Sequence, residues 1–194
     1  MSEEPLPSDE ELVARYIAGE ENVFRALALR HMQTAYSLAL RLGVESGDGE
    51  DLVQDVFLKV WKNIQKFDAH QAQFKTWFLR IARNTIIDYL RKRKQIAFSS
   101  FDGLEGDNAL TDTLADESPL QDERLSQSID AEMLERALQH LPTDAREVLH
   151  LHYREGCMFE EIGHILGASA NTVKSRHRRA LIALRQSLGH QMRG

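Results

Sequence analysis

An all-α chain, built as two small helical units joined by a flexible acidic linker, is the architecture this sequence predicts, and three observations predict it. Apolar residues recur at intervals of three and four through most of the 194 residues, which is the spacing of an amphipathic helix face. Only four prolines are present, and most of the eleven glycines fall between the periodic runs, where they end helices. The periodicity lapses once, from Phe98 to Asp130, where nine acids stand against a single base, Arg124. A structureless connection is already unusual at about 12 to 15 residues, so this longer stretch reads as a linker.

The first unit opens with a capping-box spacing, Ser8 to Glu11, ahead of Leu12, Val13, Tyr16 and Ile17, with Gly19 placed to stop a short helix. A second helix runs from about Glu21 to Leu42 on Phe24, Leu27, His31, Ala35, Leu38 and Leu42, with Gly43 as its stop. After the loop from Glu45 to Gly49, Asp48 or a neighbour caps a third helix that carries Leu52, Val53, Val56, Phe57, Val60, Trp61 and Ile64. Residues Phe67 to Gln73 form a polar loop. A fourth helix places Phe74, Trp77, Phe78, Ile81, Ala82, Ile86 and Tyr89 on one side and ends in four bases, Arg91 to Lys94. These aromatic and aliphatic faces suffice for one core.

The second unit begins near Asp130 with Met133, Leu134, Ala137, Leu138 and Leu141 on one face and Pro142 beyond the end. Thr143 caps the next helix, which carries Ala145, Val148, Leu149 and Tyr153 and stops at Gly156. A short helix from Phe159 to Leu166, a tight link from Gly167 to Ala170 and a last helix from about Asn171 to Leu188 complete the chain. This ending has the requirements of a helix-turn-helix: apolar contacts between the helices (Ile162, Leu166, Val173), a small residue where backbones approach (Gly163), and a glycine able to turn left-handed (Gly167).

Composition excludes several classes. With 42% hydrophobic and 28% charged residues the chain is neither collagen-like nor wholly disordered. One cysteine, Cys157, makes neither an internal disulfide nor a Cys-rich metal site. No apolar run approaches the ~18 to 20 residues of a membrane span, and the N-terminus is acidic where a signal peptide is basic, so a cytoplasmic protein without membrane insertion is expected. His150 and His152 lie two apart on a helix, roughly 200° around its axis, and do not chelate one ion. Asp51 and Asp55 share a face but lack a nearby His or Lys. No phosphate-cradling glycine loop and no hydrolase or metalloprotease motif occurs. No catalytic residue, metal or cofactor is expected, and the chain does not read as an enzyme.

The formal charge of −6 argues, as an average, against a nucleic-acid partner, yet its distribution reverses that argument. From Asn171 onward there is no acid, and Lys174, Arg176, Arg178, Arg179, Arg185 and Arg193 are all basic. Lys174 and Arg176 lie in the N-terminal half of the last helix, where the helix dipole disfavours cations, so base edges and phosphates explain them better than the dipole does. Between Phe74 and Gln95, seven bases face one acid, Asp88, with Phe74, Trp77, Phe78 and Tyr89 interleaved. Rings beside bases suit unpaired nucleotides. Trp77, Phe78 and Ile81 are expected to be largely core, which leaves the loop from Phe67 to Lys75 and the exposed helix face for contact.

The D-L-V-Q-D stretch from Asp51 to Asp55, the run from Phe74 to Asn84, Leu141 with Pro142, Glu161 with Ile162, and the stretch from Thr172 to Ala180 together resemble the bacterial extracytoplasmic-function (ECF) sigma factors of the sigma-70 family. The resemblance spans about Asp9 to Leu188, with motifs in the family's order. It implies sigma domain 2 over 8–96, an acidic linker over 97–129 and a helix-turn-helix sigma domain 4 over 130–190. It implies that core RNA polymerase is met through the clamp helices of its largest subunit by Asp51, Gln54, Asp55 and Leu58, facing away from Phe57 and Trp61, and also through the flap of the second-largest subunit. Lys75, Arg80, Arg83, Asn84 and Arg91 are the implied contacts to the minus-10 promoter element, with Asn84 and the loop holding an unstacked base. Thr172, Lys174, Ser175, Arg176, Arg178 and Arg179 are the implied contacts to the minus-35 element. An anti-sigma factor is the implied regulator, able to hold the chain at the membrane, and the acidic linker is implied to follow the nucleic-acid path through the polymerase.

Three positions depart from the family pattern. Met158 stands where a capping Ser or Thr is usual and Gly163 where Ala is usual, which predicts a less stable first helix in the motif; Asn171 replaces a common Gly. Two rival functions remain open at this level. A decoy that sequesters a regulator would not need Lys174, Arg178 and Arg179, and a stand-alone repressor would not need the first unit.

Overall fold

The computed structural model describes residues 6–99 and 133–191, with side chains over 6–95 and 133–188, and every regular element among them is helical. The elements are α1 (Asp9–Ile17), α2 (Val23–Leu42), α3 (Ser46–Asn63), a 3-10 turn (Ile64–Lys66), α4 (Phe74–Ser99), α5 (133–139), α6 (Thr143–Leu149), a π turn (His150–Arg154), α7 (Phe159–Leu166) and α8 (Ala170–Gln191). The linker assigned from sequence lies almost entirely outside the described residues. No helix among the described residues is long and apolar enough to cross a membrane.

Local chemistry explains the element boundaries. At α1 the capping box forms as the spacing predicts: the Glu11 amide donates to Ser8 Oγ at 3.1 Å and the Ser8 amide to the Glu11 carboxylate at 2.7 Å. Gly43 ends α2 with φ at +100°, the left-handed region open to glycine. The N-terminus of α4 is capped from a distance, because the Phe74 amide donates to Glu10 Oε1 at 2.8 Å, so α1 fixes where α4 starts.

Several boundary expectations are corrected. Helix α3 begins at Ser46 after Glu45, and Asp48 does not cap it; its carboxylate accepts instead from the Tyr89 hydroxyl at 2.7 Å and from Arg93 at 2.9 Å. Thr143 is the first residue of α6 rather than its cap, a place taken by Pro142. At α8 the capping hydroxyl is that of Ser169, which accepts from the Thr172 amide at 3.1 Å, so Asn171 is simply an exposed first-turn residue. Ile17, Trp61 and Leu134, assigned to apolar faces by period, are 46%, 51% and 42% exposed; each sits at the margin of its stripe.

Helices α1 to α4 pack around Leu12, Leu27, Leu38, Val56, Ile64, Phe74, Phe78 and Ile86. His31 is buried beneath Phe74 and Phe78, where it bonds Asp9 at 2.7 Å. The second unit does not stand apart. Val148, Leu151, Cys157, Ile162, Ile165 and Val173 join that same apolar cluster, while Leu141, Ala145, Leu149 and Ala180 form a smaller one of their own. The two units therefore share one seam, lying chiefly between α4 and α7, with α2 packed against α6.

Candidate functional site

The helix-turn-helix assembles from the residues the sequence singles out. Ile162 and Val173 are fully buried, Leu166 packs beside them, and Gly167 turns the chain at φ +65°. Gly163 is required for a different reason. A Cβ there would lie 2.7 Å from the Ala168 carbonyl oxygen, which is backbone and cannot give way. Val173 and Ala180 then anchor α8, leaving Thr172, Lys174, Ser175, Arg178 and Arg179 on its exposed surface, while Arg176 is half-buried and turned toward the seam, close enough to Glu147 to stabilise its charge.

Sequence reasoning missed what braces this surface. The rings of His152, Tyr153, Phe159 and His177 form a contiguous cluster: His152 stacks on Phe159 at 4.7 Å, and its edge meets His177 at 5.1 Å. His177 also pairs with the Tyr153 hydroxyl at 3.2 Å, and burial, followed by the neighbouring His152, lowers its pKa. Lys174 lies 5.9 Å from the Phe159 ring centre and 3.5 Å from Glu160, so its ammonium is held in place over α7. The signal for the cluster was the repeated aromatic and imidazole side chains, but their partners are separated by a turn whose path sequence does not give.

On the first unit, the five candidates on α4 separate by face. Helical geometry puts Arg80, Asn84 and Arg91 within roughly 40° of one another and swings Arg83 and Lys75 roughly 60° and 140° from Arg80. Arg80 and Asn84 line a groove of about 320 Å³ whose other walls are Trp77, Ile81 and Thr85 on α4 and Lys59, Asn63 and Lys66 at the end of α3 and its 3-10 turn. Trp77 and Ile81 are half-buried, serving the core on one side and the groove on the other, whereas Phe78 is wholly core. Lys59, Asn63 and Lys66 were not foreseen. They add two cations and an amide to the groove, and only the packing of α3 against α4 brings them there. Arg91 lies further along, paired with Asp88 at 3.1 Å.

The adjoining loop is fixed rather than loose. Asp68 accepts from the His70 amide and from Gln71, both at 2.9 Å, and the backbone bond followed by the Gln71 bond lowers its pKa. Phe67, assigned to a polar loop, instead packs its ring on Phe74 and Trp77. On α3, Asp51, Gln54, Asp55 and Leu58 share one exposed face, and Trp61 belongs with them, contrary to the sequence expectation that it lies inward.

Lys75 and Arg83 point elsewhere, into the seam. Arg83 makes a two-pronged pair with Glu147, at 2.6 and 3.4 Å. Lys75 reaches the Glu155 carboxylate at 3.0 Å and its carbonyl at 2.7 Å, and Thr76 donates to Glu161 at 3.3 Å. Burial raises the pKa of Glu147 despite the opposing pull of Arg83, and burial pushes His150 down to about 4. Cys157, also buried, has its thiol pushed up to about 11, which leaves it unreactive.

Comparison with known proteins matches both units. A family model described as sigma-70 region 2 matches residues 27–96, and one described as sigma-70, region 4, matches 131–184. The chain is 33% identical over 183 residues to the ECF RNA polymerase sigma-E factor of Escherichia coli strain K12, covering 91% of this chain and 92% of that one. It is 30% identical over 186 residues to the RNA polymerase sigma-H factor of Pseudomonas aeruginosa, covering 93% of each. Among solved structures, the sigma factor RpoE bound to the anti-sigma factor NepR from Bartonella quintana superposes with a TM-score of 0.64 at 27% identity, over 86% of this chain and 96% of that one. CnrH, in complex with the cytosolic domain of CnrY, shares the fold with a TM-score of 0.67 at 24% identity, over 95% and 99%.

Proposed function

This chain belongs to the ECF group of sigma-70-type RNA polymerase sigma factors, and we propose that it binds core RNA polymerase and directs it to a specific set of promoters under the control of an anti-sigma factor. The observation that carries this reading is the presence, in one chain, of a polymerase-facing surface, a basic aromatic groove and a basic recognition helix. A decoy has no use for the recognition helix, and a repressor has no use for the first two. Relatives held by anti-sigma factors support the regulatory half of the reading.

We assign 8–96 as domain 2, 97–129 as the linker and 130–190 as domain 4. Asp51, Gln54, Asp55 and Leu58, joined by Trp61, meet the polymerase: an acidic rim around an exposed leucine and tryptophan suits a basic helical partner. Arg80, Asn84 and Arg91 hold the minus-10 strand, while Lys75 and Arg83 turn to Glu155 and Glu147 of the second unit. Trp77 offers a ring on which an unpaired base stacks, and the Asn84 amide reads its edge. Thr172, Lys174, Ser175, Arg176, Arg178 and Arg179 meet the minus-35 element, with α8 in the major groove. Opening the duplex consumes no nucleotide. Unstacking costs a few kcal/mol per step, which pocket contacts and polymerase binding offset, so the protein acts by binding rather than by catalysis. Its place of action is the cytoplasm, where polymerase and promoters are.

Reconstituted transcription tests the whole reading. Purified protein with core polymerase should initiate at a subset of promoters in genomic DNA, and start sites mapped after overexpression should share two spaced elements. Failure to initiate at any promoter refutes it.

A further inference from the structure

We propose that Tyr153 and His177 form a further phosphate-binding site at the edge of the helix-turn-helix, one that gains a cation and a hydroxyl donor when the His177 imidazole takes up a proton. The inference rests on the reading of α8 as the DNA-facing helix. His177 follows Lys174 by three residues on α8, so the two share a side of the helix, and its neighbour Arg178 is exposed. From the π turn, Tyr153 stands 64% exposed and its hydroxyl meets His177 Nε2 at 3.2 Å. A large ring so far into solvent adds little to the core. It carries a hydroxyl from outside the motif to the side of α8.

Proton placement gives the pair two states. With the neutral ring's hydrogen assigned to Nδ1, Nε2 accepts the Tyr153 O–H, and the hydroxyl's single hydrogen stays inside the protein. In the imidazolium both ring nitrogens donate, so Nε2–H goes to the Tyr153 oxygen and the phenolic hydrogen turns outward to an acceptor. A DNA phosphate oxygen is such an acceptor, and it brings the counter-charge. The surroundings keep the free ring neutral. Burial, then the neighbouring His152, lowers the pKa of His177 from 6.5. His152 is itself pinned, because its Nδ1 donates to the Cys157 carbonyl at 3.0 Å and its ring lies on Phe159 at 4.7 Å. Other charged neighbours are Lys174 and Arg178 on α8, Arg154 in the turn and, from α7, Glu160, which pairs with Lys174 at 3.5 Å. Cations outnumber the acid among these, which favours a neutral imidazole in the free protein and an anion beside it. A bound phosphate reverses that balance, so proton uptake and DNA binding reinforce each other.

Binding of the full chain to random-sequence duplex DNA of about 20 base pairs at low salt tests the site, because phosphate contacts do not depend on sequence. Wild type should bind about three- to tenfold more tightly near pH 5.5 than near pH 7.5, and its salt dependence at the lower pH should steepen by about one phosphate contact. His177→Gln should lose both effects. Tyr153→Phe keeps the cation but not the hydroxyl, and should retain the pH dependence while binding more weakly than wild type at the lower pH. Wild-type affinity that does not change with pH, or no binding at the lower pH, overturns the proposal. So does a His177→Gln variant as pH-dependent as wild type, or a Tyr153→Phe variant that binds as tightly. The His177 ring resonance, followed by NMR in wild type with and without the duplex, needs no substitution: its pKa should rise when DNA is bound, and one pKa in both states refutes the site. Reconstituted transcription judges the promoter role separately, so a chain that initiates nowhere yet binds duplex in this proton-linked way keeps the site and loses the sigma reading.

Discussion

At the residue scale, the exposed arginines of α8 carry the sharpest expectation. Arg178 and Arg179 project from a helix that Val173 and Ala180 anchor, so truncating either changes the surface and not the core. Arg178→Ala or Arg179→Ala should weaken minus-35 binding by about 1 to 3 kcal/mol where the side chain reads a base, seen as a lower promoter affinity of the holoenzyme. Unchanged affinity in both variants would remove the assignment. Asp55 has a comparable standing on α3. It lies beside Leu58 and Trp61, both about half exposed, and reversing its charge opposes a basic partner without touching the packed side of the helix. Asp55→Lys should compete poorly with wild type for core polymerase while unfolding at the same temperature; equal competition would refute the role.

At the element scale, α7 is a helix held by its neighbours more than by itself. Its capping box is half complete, because the Glu161 carboxylate accepts from the Met158 amide at 2.7 Å while the Met158 thioether is a weak acceptor in return. Met158 is 61% exposed, so Met158→Ser adds a capping hydroxyl at little cost in burial and should stabilise the chain by about 0.5 to 2 kcal/mol in thermal or denaturant unfolding. Gly163 gives the opposite result. Alanine is the better helix former by about 1 kcal/mol, yet its Cβ would lie 2.7 Å from the Ala168 carbonyl oxygen, and Gly163→Ala should destabilise by about 1 to 3 kcal/mol. The family departures at these two positions thus differ in kind, one an unused cap and the other a close approach. Element existence was legible throughout, because the stripes on α2, α3, α4 and α8 are long and periodic. Caps were less so: Glu10 and Asp48 bond where tertiary geometry puts them, whereas Ser169 caps locally, three residues ahead of Thr172.

At the scale of the whole molecule, what sequence conceals is the seam, since Arg83 and Glu147 are 64 positions apart and no period relates them. The charge pattern was legible as basic segments among acidic ones, and the structure shows two acids of the second unit, Glu147 and Glu155, meeting Arg83 and Lys75 of α4. The seam also gives the chain an acid sensitivity of definite sign. His150 is 8% exposed in it, facing Glu155, with Arg41, Arg154 and Lys75 adding positive charge around it. Burial comes first among the causes that lower its pKa to about 4 from 6.5, and Glu155 opposes it. A histidine depressed in the folded state stabilises fully above its unfolded pKa, and that contribution is lost as pH falls from 6.5 toward 4. The full linkage is on the order of 3 kcal/mol, of which somewhat under half is lost by pH 5.5, roughly a few degrees in melting temperature for a chain of this size. Glu147 acts in the opposite sense, because burial raises its pKa and protonation of the carboxyl then favours the packed form. The melting temperature of the full chain should fall between about pH 7.5 and 5.5, and His150→Gln should flatten the profile; a variant as acid-sensitive as wild type would show that the proton enters elsewhere.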